Sequence, residues 1–268
     1  MKTSLRKALL QLKNPERAIQ TARFFKTGKG EYGEGDVFIG LSNPQVQALV
    51  KAHWKFTTMA DVQELINDKI HELRFAALLV LVAQFPQSSP IQQSAIIKFY
   101  LKNIHQINNW DLVDCSAYKL LGKFLLHKDR QILYDLAESG HLWSERVAVV
   151  ACFELIRNKQ FSDIFNLSEK FLSHKHDLMH KACGWMLREV GKRDESALEE
   201  FLDEHLSKMP RTMLRYAIER MEGGEEIGLL ENILTAIANR MTPKNLRTAS
   251  KPPGPSSFSI ILSDFNTA

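Results

Sequence analysis

Trp110-Asp-Leu-Val-Asp114 sets an indole and a carboxylate four residues apart. On a helix that spacing brings both side chains to one face, one turn from each other. An anion beside an electron-rich aromatic face suits a ligand that carries or develops positive charge. Arg146 and Trp185 lie further along the chain, in two later segments of similar pattern. If those segments are successive helices of one stack, all four side chains can share a groove. Taken singly, the same residues could equally be core tryptophans, an aspartate on an exposed turn and one half of a surface ion pair.

The elements that must position these residues are helices. Apolar residues recur every three to four positions along most of the chain, and alternating β-type segments are missing. Asn14-Pro15, Asn43-Pro44, Ser89-Pro90 and Met209-Pro210 each put proline where a first helical turn tolerates its missing N–H, and Thr58, Asn109 and Ser162 read as caps of further helices. Arg74-Phe-Ala-Ala-Leu-Leu, Arg146-Val-Ala-Val-Val and Lys181-Ala-Cys-Gly-Trp-Met begin alike, with weaker copies near Ser116 and Arg211, at intervals of 42, 30, 35 and 30 residues. That spacing predicts stacked helical hairpins, hence an all-α, HEAT-like-repeat α-solenoid in which one helix of each pair lines a concave surface. The repeats are expected to form one domain over residues 1–222, followed by a possible additional helix over 223–241 and a flexible tail over 242–268, where Lys-Pro-Pro-Gly-Pro-Ser-Ser has linker composition.

Charge narrows the partners. The net charge of +4, from 35 basic and 31 acidic residues, is mild, but Lys170 to Arg193 alone holds six basic residues against Asp177 and Glu189. Such clustering points to a phosphate-facing surface; a solvated helix face would have the same composition. No apolar run is long enough to cross a membrane and no signal peptide precedes the first helix, so a cytoplasmic protein without membrane contact is expected. Cys115, Cys152 and Cys183 lie apart inside apolar stretches and read as reduced, buried thiols. His176 and His180 are one helical turn apart beside His174, yet no cysteine or carboxylate pattern completes a metal site, and no cofactor is expected. The segment Lys26 to Asp36, with Gly28, Gly30, Gly33 and Gly35, reads as a loop or short hairpin; it lacks the Lys-Ser/Thr ending of a phosphate-binding P-loop.

Four blocks between residues 14 and 221 resemble the AlkD-type alkylpurine DNA glycosylases. Trp110-Asp-Leu-Val-Asp114 resembles the family's Trp-Asp-x-Val-Asp motif, and Trp143-Ser-Glu-Arg146-Val-Ala148 its Trp-x-x-Arg-x-Ala segment. Lys181-Ala-Cys-Gly-Trp185-Met-Leu-Arg188-Glu189 is similar to its Lys-Ala-x-Gly-Trp-x-Leu-Arg-Glu segment, and Asn14-Pro-Glu through Ala22-Arg-Phe24 to a helix that ends on tyrosine in the archetype. The resemblance implies that Asp114 is the catalytic carboxylate, that Trp110 and Trp185 flank the sugar of a damaged nucleotide, and that Arg146 contacts a backbone phosphate. Arg188, Lys181 and Phe24 join the DNA-binding set, Phe24 keeping the ring of the family's tyrosine and losing its hydroxyl. The implied partner is double-stranded DNA containing alkylated purines, bound by a monomer. Some relatives bind branched or unusual DNA without clear glycosylase activity. Such a binder, or a protein-interaction scaffold, remains an alternative reading of this chain.

Overall fold

The computed structural model describes residues 4–219, so the helix expected over 223–241 and the tail expected over 242–268 lie outside the described residues. Within them the chain is mostly helical, in the order α1 Leu5–Leu10, α2 Pro15–Phe24, α3 Asn43–His53, α4 Met59–Ile66, α5 His71–Gln84, α6 Pro90–Lys102 and α7 Trp110–Ala117. There follow α8 Lys123–Leu125, α9 Gln131–Ala137, α10 Leu142–Arg157, α11 Ser162–Lys170, α12 Asp177–Gly191, α13 Glu195–His205 and α14 Arg211–Ile218. Among the described residues there is no β-strand, only an isolated bridge between Val37 and Ile70. The fold is all-α and solenoid-like.

Most helix starts follow the capping chemistry in the sequence. Ser42, Thr58 and Ser89 each close a capping box, with Gln45, Asp61 and Gln92 returning the bond to the cap's own N–H. Asn14 and Asn109 also cap with their side-chain oxygens. Pro44 lies in the first turn of α3 as expected, while two starts differ by a residue from the sequence expectation: Ser162 is the first residue of α11 rather than its cap, and Pro210 precedes α14 instead of entering it.

The helices expected to line a concave surface include the most buried stretches. In α10 a run from Trp143 to Cys152 is buried without a break, so this helix is enclosed on all sides by α7, α9, α11 and α12. Arg74 and Arg146, the bases that open the repeated segments, are buried with it. Each is neutralised by an acid from earlier in the chain, Arg74 by Asp36 at 2.6 Å and Arg146 by Asp114 at 2.8 Å. Lys181, the third such base, is half-buried and pairs instead with Asp177 one turn before it, at 2.7 Å.

Close approach between stacked helices rests on two glycines. A π-helical turn over Tyr118–Gly122 joins α7 to α8, and it brings Gly122 against α10, where an added Cβ would stand 2.3 Å from the Ala151 carbonyl oxygen. Gly184 of α12 meets the Met213 carbonyl of α14 in the same way, at 2.4 Å. Glycine normally costs a helix roughly 1 kcal/mol relative to alanine. At Gly122 the steric cost should exceed that gain, so Gly122→Ala is expected to destabilise the fold by about 1–3 kcal/mol, the usual cost of overpacking. Equilibrium urea denaturation checks this; unchanged or raised stability would show that α7 and α10 are free to move apart.

Candidate active site

The site begins at the N-terminus of α7. Asn109 caps it, and Asp111 turns inward, where it is buried and meets His71 Nε2 at 2.8 Å. Trp110, half-buried, lies flat on Phe25, with ring centroids 5.3 Å apart and planes 18° from parallel. Phe24 packs its edge against the same indole at 6.0 Å while remaining 65 % exposed. Phe25 in turn stacks on Phe38, and Phe38 on His71 at 4.5 Å. Offset-stacked rings of this kind fix orientation as well as burying area, so Trp110 has one face anchored.

Asp114 stands one turn further along α7. Arg146 reaches it with both ends of its fork, Nε to Oδ1 at 2.9 Å and Nη2 to Oδ2 at 2.8 Å, and donates Nη1 to the Leu178 carbonyl of α12 at 2.6 Å. One side chain of α10 therefore ties together α7 and α12. The Asp114 side chain retains 21 % of its exposure against 6 % for Arg146, so the carboxylate has an open edge and the guanidinium is behind it. Burial pushes the Asp114 carboxyl above the usual carboxylate range, against the opposing charge and hydrogen bonds of Arg146. Arg146, expected from the sequence to meet a phosphate, is mostly committed to Asp114 and Leu178 instead, because a buried guanidinium must satisfy its donors within the protein.

Two aromatic residues that sequence reasoning missed continue the face. Tyr118, one turn beyond Asp114, packs edge-on against Phe153 at 5.0 Å, and Phe153 lies 6.0 Å from Trp185. Trp185 is thus linked through Phe153 to Tyr118, one helical turn after Asp114. The signal was available: Tyr118 is four residues after Asp114 and Phe153 seven after Arg146, both on-face helical spacings. The Arg193 guanidinium lies 5.7 Å from the Phe153 ring centroid.

The basic window is less free than its composition suggests. Lys170 pairs with Glu138, Lys181 with Asp177, Arg188 with Glu219, and both Lys192 and Arg193 with Glu189. Acids distant in sequence supply two of these partners. Exposed cations that form no ion pair with another described residue include Lys175 in the window itself and, around α2 and the glycine-rich loop, Lys13, Arg17, Arg23, Lys26 and Lys29. The loop's own acids, though exposed, bond its backbone, Glu31 accepting from Gly28 N–H and Glu34 from Gly30 N–H.

His174 bonds Glu145 at 3.1 Å, His176 caps α12 by accepting from Leu178 N–H, and His180 Nε2 donates to the His174 carbonyl at 2.6 Å. Among the described residues no group of three or more His, Cys, Asp or Glu is arranged to hold a metal ion, and no helix is long and apolar enough to cross a membrane. Cys152 and Cys183 are buried free thiols, and Cys115, beside Asp114, is half-buried; burial raises the pKa of each.

Comparison with known proteins bears on this arrangement. A family model described as DNA alkylation repair enzyme matches residues 5–221. A solved structure titled as a predicted DNA alkylation repair enzyme from Enterococcus faecalis superposes with a TM-score of 0.62 at 20 % identity, over 79 % of this chain and 98 % of that one. At that identity the likeness is one of fold. No curated protein matches the chain.

The Asp114–Arg146 pair makes a direct prediction. Replacing Arg146 by methionine removes the charge that opposes burial, so the Asp114 carboxyl should titrate at higher pH than in the wild type. Carboxyl-carbon NMR, with the signal assigned by its loss in Asp114→Asn, measures it. An unmoved titration would mean that solvent rather than Arg146 carries the stabilisation of the anion.

Proposed function

The chain belongs to the DNA alkylation repair enzyme family and so has a role in DNA repair, and from that premise we propose that it is a DNA glycosylase hydrolysing the N-glycosidic bond of cationic N3- and N7-alkylated purines in duplex DNA. The observation that carries this reading is the partly exposed Asp114 carboxylate, clamped by both arms of the Arg146 fork and one helical turn from Trp110 and from Tyr118, whose ring meets Phe153 and through it Trp185. It is a single carboxylate on an aromatic face.

One carboxylate is enough for this substrate. An ordinary glycosidic oxygen must be protonated to leave, which is why glycoside hydrolases use two carboxyl groups. A purine alkylated at N3 or N7 is already cationic. When its bond to C1′ breaks, the base takes the bonding pair and departs neutral, leaving the positive charge on the sugar as an oxocarbenium ion. Water then adds at C1′ and loses a proton. Asp114 faces the developing charge, and the aromatic faces attract the electron-poor sugar. At about 4 Å and an effective dielectric near 20, the carboxylate would stabilise that charge by roughly 4 kcal/mol, close to a thousandfold in rate. Arg146 draws off part of this field, and in return its charge and hydrogen bonds oppose the proton that burial favours.

A face of half-buried rings holds the sugar edge without a deep pocket, so we read the base as remaining in the duplex rather than being flipped out. Phosphate contact then falls to the unpaired cations beside Phe24, namely Arg23, Lys26 and Lys29, more than to Arg146 or the paired Lys181 and Arg188. A binder of branched DNA would use the same cations but would have no need of Asp114.

Two experiments test this function. Asp114→Asn should lower single-turnover release of N7-methylguanine or N3-methyladenine by about a thousandfold. Duplex affinity should hold or rise, since a repelling anion is removed and the Arg146 guanidinium is released. Thermal denaturation run alongside reports the cost of leaving Arg146 without its partner. Wild-type protein that releases neither base, or Asp114→Asn that releases them at the wild-type rate, refutes the mechanism. Separately, Lys26→Ala with Lys29→Ala should reduce the log–log salt dependence of duplex binding by roughly 0.9 for each phosphate no longer neutralised, on damaged and undamaged DNA alike. A slope unchanged there and reduced by Lys181→Ala would move the phosphate track back to the basic window.

A further inference from the structure

His71 is far from Asp114 in sequence and was absent from the residues the sequence marked for chemistry. It is the first residue of α5, its side chain is 3 % exposed, and both ring nitrogens meet carboxylates: Nδ1 to Asp36 at 2.9 Å and Nε2 to Asp111 at 2.8 Å. Asp36 closes the glycine-rich loop, where it also takes Arg74 Nη2 at 2.6 Å and Asn108 Nδ2 at 2.9 Å. Asp111 belongs to the first turn of α7, between Trp110 and Asp114.

We infer that His71 is a positioning residue for the Trp110–Asp114 face: bonded at both nitrogens, it fixes the first turn of α7 against α5 and the glycine-rich loop, and through Phe38 and Phe25 it backs the indole of Trp110. The inference rests on reading Asp114 as the acting carboxylate. Two contacts converge on that turn. Asp111 is held at its carboxylate by His71 while its other oxygen accepts Leu112 N–H at 2.8 Å. The ring path runs from His71 to Phe38 at 4.5 Å, from Phe38 to Phe25 at 5.0 Å and from Phe25 to Trp110 at 5.3 Å. A side chain that only filled the core would need neither carboxylate.

The arrangement requires the imidazolium, because neutral histidine has one N–H and could donate to only one of the two acids. Burial alone would favour the neutral ring, but Asp111 and Asp36 outweigh it and push His71 up to about 9. The other charges facing this cluster are Arg74 and Glu72 from α5 and, a turn along α7, Asp114 with Arg146 from α10. Glu72 is committed to the backbone N–H groups of Ile39, Gly40 and Leu41, which it accepts at 2.8 to 3.2 Å. As pH rises through the titration of His71, one of its two bonds must break and the first turn of α7 loosen. Displacing a reacting group by about 1 Å can cost roughly a hundredfold in rate.

The test uses the full chain labelled with 5-fluorotryptophan, with the Trp110 resonance assigned by its loss in Trp110→Phe. The Trp110 signal should shift with pH about a midpoint near 9 in the wild type, while Trp54 does not follow. His71→Gln should abolish the transition. Asp111→Asn, which keeps the shape and removes one counter-charge, should move the midpoint to lower pH. Single-turnover base release should fall by about a hundredfold in His71→Gln with duplex affinity unchanged. A Trp110 signal that is flat in the wild type, or a midpoint unmoved in Asp111→Asn, overturns the inference even if His71→Gln fails to fold. Should the wild type release no alkylated base, the proposed function falls, and the fluorine titration still decides whether His71 governs this face.

Discussion

Burying a guanidinium obliges the protein to surround it with acceptors, and in this fold that obligation organises the site. Arg146 sits inside the most enclosed helix, where an unpaired charge would cost several kcal/mol. Its needs are met by Asp114 from the preceding helical layer and by the Leu178 carbonyl from the following one. The same contacts that make the burial tolerable set the distance between α7 and α12 and turn the Asp114 carboxylate to a fixed angle. Stability and chemistry share one geometry here. The carboxylate cannot swing away without stranding the arginine.

The first repeat solves the same problem differently. Arg74 is also buried, but its acid, Asp36, comes from the glycine-rich loop rather than from a helix. Asp36 draws in His71 and Asn108 as well, and burial, which would raise its carboxyl pKa, is outweighed by the His71 bond and the Arg74 charge, leaving it below the ordinary value. The loop is therefore bolted at its end while its glycine tip stays exposed, with Gly30 and Gly35 in the left-handed region that suits glycine. Tyr32 extends that attachment by packing its edge on Trp143 at 6.0 Å, at the start of α10. A loop held at both points can carry Lys26 and Lys29 beside the Trp110 face without closing over it.

Charge distribution shows why composition misleads about surfaces. The window from Lys170 to Arg193 is basic as a string, but Glu138 and Glu219, which lie outside it, come back to pair with Lys170 and Arg188. Around α2 and the loop the opposite happens. Glu31 and Glu34 commit their charge to glycine N–H groups, and the neighbouring lysines are left facing solvent.

Periodicity, proline placement and capping residues were enough to identify an all-α, solenoid-like fold and to put Trp110 and Asp114 on one helical face, because these are local properties with a spacing of one turn. The repeated bases at Arg74 and Arg146 were also visible as a pattern. What the pattern could not say was which way they point. Arg146 was expected at a phosphate and lies behind Asp114, since the choice between solvent and core depends on which helices flank it on three sides. The link from His71 to Asp36 and Asp111 spans 35 and 40 residues with no spacing rule to mark it. Only folding brings those three together, and it does so because a loop without regular hydrogen bonds must be fastened by side chains, which the sequence lists without saying where they meet.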